Sequence, residues 1–254
     1  MLSKNQIKEI QSLQLKKFRE SKQRFVVEGI KTVTEVIENA PVMLEELFAT
    51  RDFIEKYLPT LRRLNLKYTE TTEQELKKIS LQSTPSGVLA VCQYFKEPKV
   101  AFNFEENFAF FLDDVRDPGN LGTIIRLADW FGLSTIFCSP GSCDFYNPKV
   151  IQSTMGAFLR VRSVYTELSD LLEKQEIKTV YGAVLNGANL YKEKLVNGLI
   201  VIGNEANGIS DHNLKFISKK LTIPANQNNG TESLNAAMAA SIIASEFFRQ
   251  LKFT

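Results

Sequence analysis

Three stretches of this chain place glycines and small polar side chains directly after a β-favouring run: residues 111–132 (FLDDVRDPGNLGTIIRLADWFG), 201–210 (VIGNEANGIS) and 221–250. Such loops let a ligand approach the backbone closely, and binding residues concentrate in them. Two phosphate-loop patterns fail here. Gly119-Asn120-Leu121-Gly122 is not GxGxxG, and Gly203 to Gly208 has GxxxxG spacing but carries Ile209 where a phosphate-gripping Lys is required. Glu205, flanked by Gly203, Asn204, Asn207 and Gly208, is a carboxylate in a turn with nothing to pack against. Arg126 stands two turns inside a helix whose apolar residues are Ile124, Ile125, Leu127 and Trp130. It reads either as a guanidinium for an anionic substrate or as a surface ion-pair residue. Asn120 and Ser233 read either as site residues or as helix caps.

Composition narrows the chemistry further. Three cysteines, Cys92, Cys138 and Cys143, form no CxxC pair, and the chain has one His, so neither a zinc cluster nor a disulfide framework is expected. No apolar run approaches the ~18 residues of a membrane span, and residues 1–24 lack the continuous apolar stretch of a secretory signal. The expected address is cytoplasmic. The net charge of +2 is small, but the first 31 residues hold 8 basic against 3 acidic side chains, concentrated at Lys16, Lys17, Arg19, Lys22 and Arg24. That stretch reads as a phosphate-contacting face or as a solvated helix face.

Stepping outward from these residues, the spacing of Ile7, Ile10, Leu13, Leu15 and Phe18 predicts an amphipathic helix over 3–21. Residues 24–28 (RFVVE) and 88–94 (VLAVCQY) predict strands, with a helix after Gly29, a further apolar run at 44–49 and a turn cluster at Ser83–Gly87. In the second half, short strands at 108–112, 135–138, 179–184, 199–202 and 220–223 alternate with helical stretches at 120–131, 147–158, 168–174 and 232–251. This alternation predicts a parallel sheet covered by helices on both faces, with ligands bound beyond the carboxyl ends of its strands. The polar segment 98–107, with Pro98, reads as a linker between an amino-terminal domain (1–97) and a second domain (108–254).

Taken jointly, the motifs resemble those of the SpoU (TrmH-type) RNA 2′-O-ribose methyltransferases of the SPOUT superfamily. Asp117-Pro118-Gly119-Asn120-Leu121-Gly122 with Arg126, Ala128 and Phe131-Gly132 is similar to that family's first motif. Ile202-Gly203-Asn204-Glu205 with Gly208-Ile209-Ser210 is similar to its second. Ile223-Pro224, Ser233-Leu234-Asn235 and Arg249-Gln250 are similar to its third, and Asn147–Val150 with Met155-Gly156-Ala157 matches a stretch between them. RFVVEG (24–29) and SGVLAV (86–91) resemble a small ribosomal-protein-like substrate-binding domain.

The resemblance implies an α/β fold: a knotted, deep-trefoil, parallel-sheet methyltransferase domain preceded by a small α/β RNA-binding domain. It implies S-adenosylmethionine as cofactor, held at Leu185, Asn186, Gly187, Gly203, Asn204, Glu205, Ile223, Pro224, Ser233 and Leu234, without metal. It implies methyl transfer to a ribose 2′-hydroxyl, with ribosomal RNA favoured over transfer RNA. Arg126, Asn120, Glu205, Ser233 and Asn235 are the implied catalytic set. A guanidinium is ordinarily always protonated, so Arg126 is read as a phosphate and alkoxide partner before a general base. The rival function is a noncatalytic RNA-binding or ribosome-assembly protein on the same fold. The resemblance also implies a homodimer that builds each site from both chains, and the Ala236, Ala240, Ala244 stripe is its expected packing surface. The Asn-rich segment 225–232 is expected to shape substrate access.

Overall fold

Ser3 forms a capping box with Gln6 and so starts the first helix, α1 (Lys4–Ser12). In the computed structural model, which describes residues 2–96, 102–226 and 232–253, α1 is followed by α2 (Lys16–Lys22), β1 (Arg24–Glu28), α3 (Ile30–Asn39), β2 (Leu44–Ala49) and α4 (Arg51–Arg63). Next come β3 (Thr69–Glu70), α5 (Glu73–Ile79) and β4 (Val88–Gln93). The remaining chain forms β5 (Ala109–Leu112), α6 (Pro118–Trp130), β6 (Thr135–Cys138), α7 (Pro148–Ser153), β7 (Arg162–Tyr165), α8 (Leu168–Lys174), β8 (Val180–Asn189), β9 (Leu199–Ile202), α9 (Asp211–Leu214), β10 (Lys219–Thr222) and α10 (Ala236–Phe253). The sequence-derived linker at 98–107 and the Asn-rich segment at 225–232 fall partly outside the described residues.

Two compact units result, Met1–Lys99 with Asp144–Leu159, and Val100–Cys143 with Arg160–Thr254. The first unit therefore takes in α7 from far along the chain. Its described strands form a sheet in the order β1-β4-β2-β3, antiparallel except for the β2–β3 pair. Ile10, Leu13, Val26, Phe48, Leu76, Ile79, Leu89 and Val91 make its core.

The expected single helix over 3–21 breaks at Leu13–Leu15. The Arg19 guanidinium donates to the carbonyls of Leu13 and Gln14 at 2.9 and 2.7 Å, so those oxygens serve the side chain. The helix expected at 147–158 likewise ends at Ser153, because Met155 and Gly156 take φ of +51° and +97°.

In the second unit the described strands form one parallel sheet in the order β10-β8-β9-β5-β6-β7. All four residues of β5, β6 and β9 are buried, as a strand covered on both faces requires. On one face Phe111, Phe137, Leu199 and Val201 pack with Leu168, Leu171 and Ile209. On the other, Phe247 of α10 meets Phe108 and Tyr181 with ring centroids 5.5 and 4.9 Å away.

The expected Ala236, Ala240 and Ala244 packing surface lies inside the chain: all three are at most 4% exposed, on a helix that packs against α6 and β9. β8 runs to Asn189, longer than expected, and its register with β10 jumps from Gly182–Lys220 to Ala188–Leu221. The intervening residues 183–187 leave that ladder.

Candidate active site

The carboxyl ends of β5, β9, β8 and β10 deliver the three polar loops to one region of the second unit. α6 starts cleanly: Asp117, not Asn120, is its N-cap, accepting from the Asn120 N–H at 2.8 Å, with Pro118 at the first helical position. Asn120, 8% exposed, is thereby free to use its side chain elsewhere. Its Nδ2 donates to Glu205 Oε1, and its Oδ1 accepts from Asn235 Nδ2 at 2.8 Å. Asn235 also caps α10, its Oδ1 accepting from the Ala237 and Met238 N–H groups at 3.0 and 3.3 Å. The cap expected of Ser233 is made by Asn235. One residue from each motif thus joins a single hydrogen-bonded chain, and the buried Asn120 amide, with both ends satisfied, holds a fixed orientation.

Below this chain lies a cavity of about 910 Å³. Of the residues the resemblance implies for the cofactor, Leu185, Asn186, Gly203, Asn204, Glu205, Ile223, Pro224, Ser233 and Leu234 line this cavity, whereas Gly187 sits in β8 against the Lys220–Leu221 backbone and is outside the lining. Residues 183–186 of the stretch that leaves the β8–β10 ladder supply part of the wall, and Thr222 Oγ1 ties them down by donating to the Leu185 carbonyl at 2.8 Å. The second-motif loop closes tightly. Asn204 and Gly208 exchange backbone hydrogen bonds at 2.9 and 2.8 Å, Gly208 takes φ of +68°, and a Cβ on Gly203 would come within 2.2 Å of the Gly208 carbonyl carbon.

The lining fits a phosphate-free, cationic nucleoside cofactor. Leu185, Ile202, Ile223 and Leu234 supply apolar wall, the loops supply backbone groups, and the carboxylates of Glu205 and Glu232 outnumber the one lysine, Lys220. A phosphorylated cofactor would meet the wrong charge. Among the described residues no cluster of metal-ligating side chains occurs. Burial pushes the thiols of Cys92 and Cys138 well up, which removes both as nucleophiles at neutral pH.

Arg126 stands apart from this rim. It is exposed on α6, on the same face as Thr123 and Trp130, and makes no hydrogen bond or ion pair among the described residues. Trp130 is 83% exposed. Reading the sequence alone missed Asp113, whose buried carboxylate accepts from the Ser210 N–H at 2.8 Å and so binds the end of β5 to the second-motif loop. Two consecutive carboxylates after a four-residue apolar strand were the available signal.

The first unit corrects the expected basic face. Arg19 is 2% exposed, with two donors on Asp144 at 2.6 and 3.2 Å besides the two carbonyls. Arg24 pairs with Glu9, Glu45 and Glu46, and Lys22 pairs with Glu9 at 2.9 Å. Facing carboxylates neutralise most of the local excess. Lys16, loosely paired with Glu20 at 3.7 Å, and Lys17, over the Phe18 ring, are what remains for an anionic partner.

Comparison with known proteins identifies the family. Residues 107–245 match the model of the SpoU rRNA methylase family, and residues 4–90 match that of the MRM3-like substrate binding domain. The chain is 30% identical to the 23S rRNA (guanosine(2553)-2′-O)-methyltransferase of Bacillus subtilis, covering 95% of each chain. A solved structure assigned to the TrmH family of RNA methyltransferases, from Porphyromonas gingivalis, is 38% identical, covering 98% of this chain and 99% of the other at a TM-score of 0.83. The S-adenosylmethionine-bound rRNA methyltransferase structure from Sinorhizobium meliloti, 24% identical, shares the fold at a TM-score of 0.84, covering 100% and 97%. For the described residues, no helix is long and apolar enough to cross a membrane.

Proposed function

The chain belongs to the SpoU rRNA methylase family, and we propose that its second unit carries the methyl-transfer site while its first holds the RNA. The enzyme transfers a methyl group from S-adenosylmethionine to a ribose 2′-hydroxyl, with ribosomal RNA as the substrate class. The observation that carries the site assignment is the Asn235–Asn120–Glu205 chain, which joins all three motifs on the rim of one cavity.

When bound there, S-adenosylmethionine supplies an electrophilic methyl group on a sulfonium. The protein's task is to hold and polarise the nucleophile. Fixing a hydroxyl in a near-attack position is worth about 7–11 kcal/mol. In this reading Arg126 grips the phosphate beside the target ribose and stabilises the 2′-oxygen as its proton leaves, since a planar, permanently charged fork suits that task better than a base. Asn120, Glu205, Ser233 and Asn235 position the ribose and the cofactor, and the loops at 183–186, 203–208 and 223–226 hold the cofactor mainly through backbone. Lys16 and Lys17 contact RNA phosphates.

The terminal helix is threaded in this reading, forming the trefoil knot. Gln250 accepts from the Leu195 N–H at 3.0 Å and donates to the Glu193 carbonyl at 3.1 Å, so α10 lies against the connection it would thread. We assign a homodimer whose contact surface includes the exposed Trp130, Met238 and Phe253, 83, 57 and 76% accessible, in place of the buried alanine stripe. That arrangement would bring the Arg126 face of one copy to the rim of the other. The proposed location is the cytoplasm, in line with the bacterial relative.

Ribose-methylation mapping of total RNA with and without the gene tests the activity, one ribosomal 2′-O-methyl group being lost. Mixing Arg126→Ala with Glu205→Ala chains tests the shared site: activity returns in mixed dimers. A monomer mass by light scattering at micromolar concentration contradicts the dimer.

A further inference from the structure

The side chain of Asn204 lines the cofactor cavity, yet each of its polar atoms is committed to the protein's own backbone. Its Oδ1 accepts from the Ala206 N–H at 2.9 Å and the Asn207 N–H at 3.3 Å. Its Nδ2 donates to the Asp114 carbonyl at 2.8 Å. The first pair of bonds rounds the turn that carries Glu205. The single bond on the other side ties that turn to the end of β5, where Asp114 takes φ of +58° and its N–H donates to Ser139 Oγ at 2.9 Å.

We propose that Asn204 is a positioning residue for methyl transfer, acting through Glu205, and is not itself a ligand of the cofactor. Glu205 can meet Asn120 only if the turn bearing it is held at one height above the first-motif loop, and Asn204 is the side chain that sets this height. Only an amide does so. One end must accept from two N–H groups while the other donates to a carbonyl, and neither an alanine nor an ionised carboxylate supplies both. The inference rests on the assignment of Glu205 and Asn120 to the site.

Asn204→Asp gives the test its signature. It keeps the acceptor for Ala206 and Asn207 but sets an oxygen against the Asp114 carbonyl, so the turn is pushed off while the carboxyl is ionised. Protonated, the same carboxyl donates where the amide did. The Asp113 carboxylate, Glu205 on the same turn, the facing Asp114 carbonyl and the Asp114 carboxylate, the last partly offset by Arg116 at 2.9 Å, raise its pKa, against the two N–H bonds from Ala206 and Asn207, which lower it. Turnover is measured for the wild type, Asn204→Asp, Asn204→Ala and Glu205→Ala between about pH 6 and about pH 8.5, with S-adenosylmethionine binding by calorimetry.

The expected result is a kcat deficit of about tenfold or more for Asn204→Asp at the high end, shrinking as the pH falls, with cofactor Kd within about threefold of wild type. A wild-type-to-variant ratio that stays constant across pH overturns the inference. So does a loss that appears in cofactor affinity with kcat intact. If Asn204→Ala fails to fold, the Asn204→Asp ratio still decides. Full turnover by Glu205→Ala sinks the site assignment and this inference together, whereas a Glu205-dependent enzyme with silent Asn204 variants sinks this inference alone.

Discussion

Arg19 and Arg126 both stand on helices, α2 and α6, yet their surroundings differ completely. Arg19 is buried on Asp144 and two backbone carbonyls, whereas Arg126 is exposed with no partner among the described residues. The basic stretch 16–24 clusters five charges and reads from sequence as either a phosphate-contacting or a solvated face. Opposing carboxylates, brought in from Glu9, Glu45, Glu46 and Asp144, convert most of that cluster into braces. A cation's availability is thus set by what faces it across the fold, and a lone unmatched guanidinium is the better mark of a site.

The comparison breaks most visibly at Arg19. Arg19→Ala should destabilise the first unit by about 3–5 kcal/mol, the usual cost of removing one partner of a buried pair. Denaturant titration measures this. Stability within about 1 kcal/mol of wild type, together with weakened RNA binding, would return Arg19 to the RNA-contacting set.

Arg249 of α10 is a second brace, paired with Glu246 at 2.7 Å. Its hydrogen bonds, followed by that of Gln250, hold the Glu246 carboxyl down at about 2 against the ordinary 4.5. A carboxyl with a lowered folded pKa adds stability above its unfolded pKa and loses it as pH falls toward the folded value. Wild-type stability should therefore drop between about pH 4.5 and about pH 2, and Glu246→Gln should lack that part of the slope. Parallel pH profiles of the two proteins would exclude Glu246 as a brace.

The smallest effect belongs to Lys16 and Lys17. Changing both to Ala should leave stability within about 0.5 kcal/mol. RNA affinity should fall, and its salt dependence should become shallower by about 1.4 in log–log slope, two single-strand phosphate contacts' worth. An unchanged slope would leave the first unit's RNA contact to other residues.

Much of the fold was legible because local physics decides it. Short β-branched and aromatic runs such as AFFL and LIVI alternate with capped helices, and that pattern admits few arrangements other than a covered parallel sheet. β7 escaped notice because RSVY is polar at an exposed edge, and α4 because Pro59 and its charges disguise a helix. The loops of the site stood out through their glycines and asparagines. The bonds that make them a site did not, since Asn120 is 85 residues from Glu205 and 115 from Asn235. For the same reason the Ala236–Ala244 stripe could not be assigned to the inside or the outside of the chain from its spacing.

Arg126 carries the central claim, and single-turnover methyl transfer by Arg126→Ala and Arg126→Lys, alongside calorimetric binding of S-adenosylmethionine, tests it most directly. If the unmatched guanidinium acts on the substrate, alanine should slow transfer by about 100-fold or more, comparable to losing one preorganised donor worth ~3 kcal/mol, with cofactor affinity near wild type. Lysine keeps the charge without the planar fork and should restore little. Near-normal single-turnover rates in both variants would mean that Arg126 is a surface residue and that the methyl-transfer site assigned here lacks its principal anion-binding group.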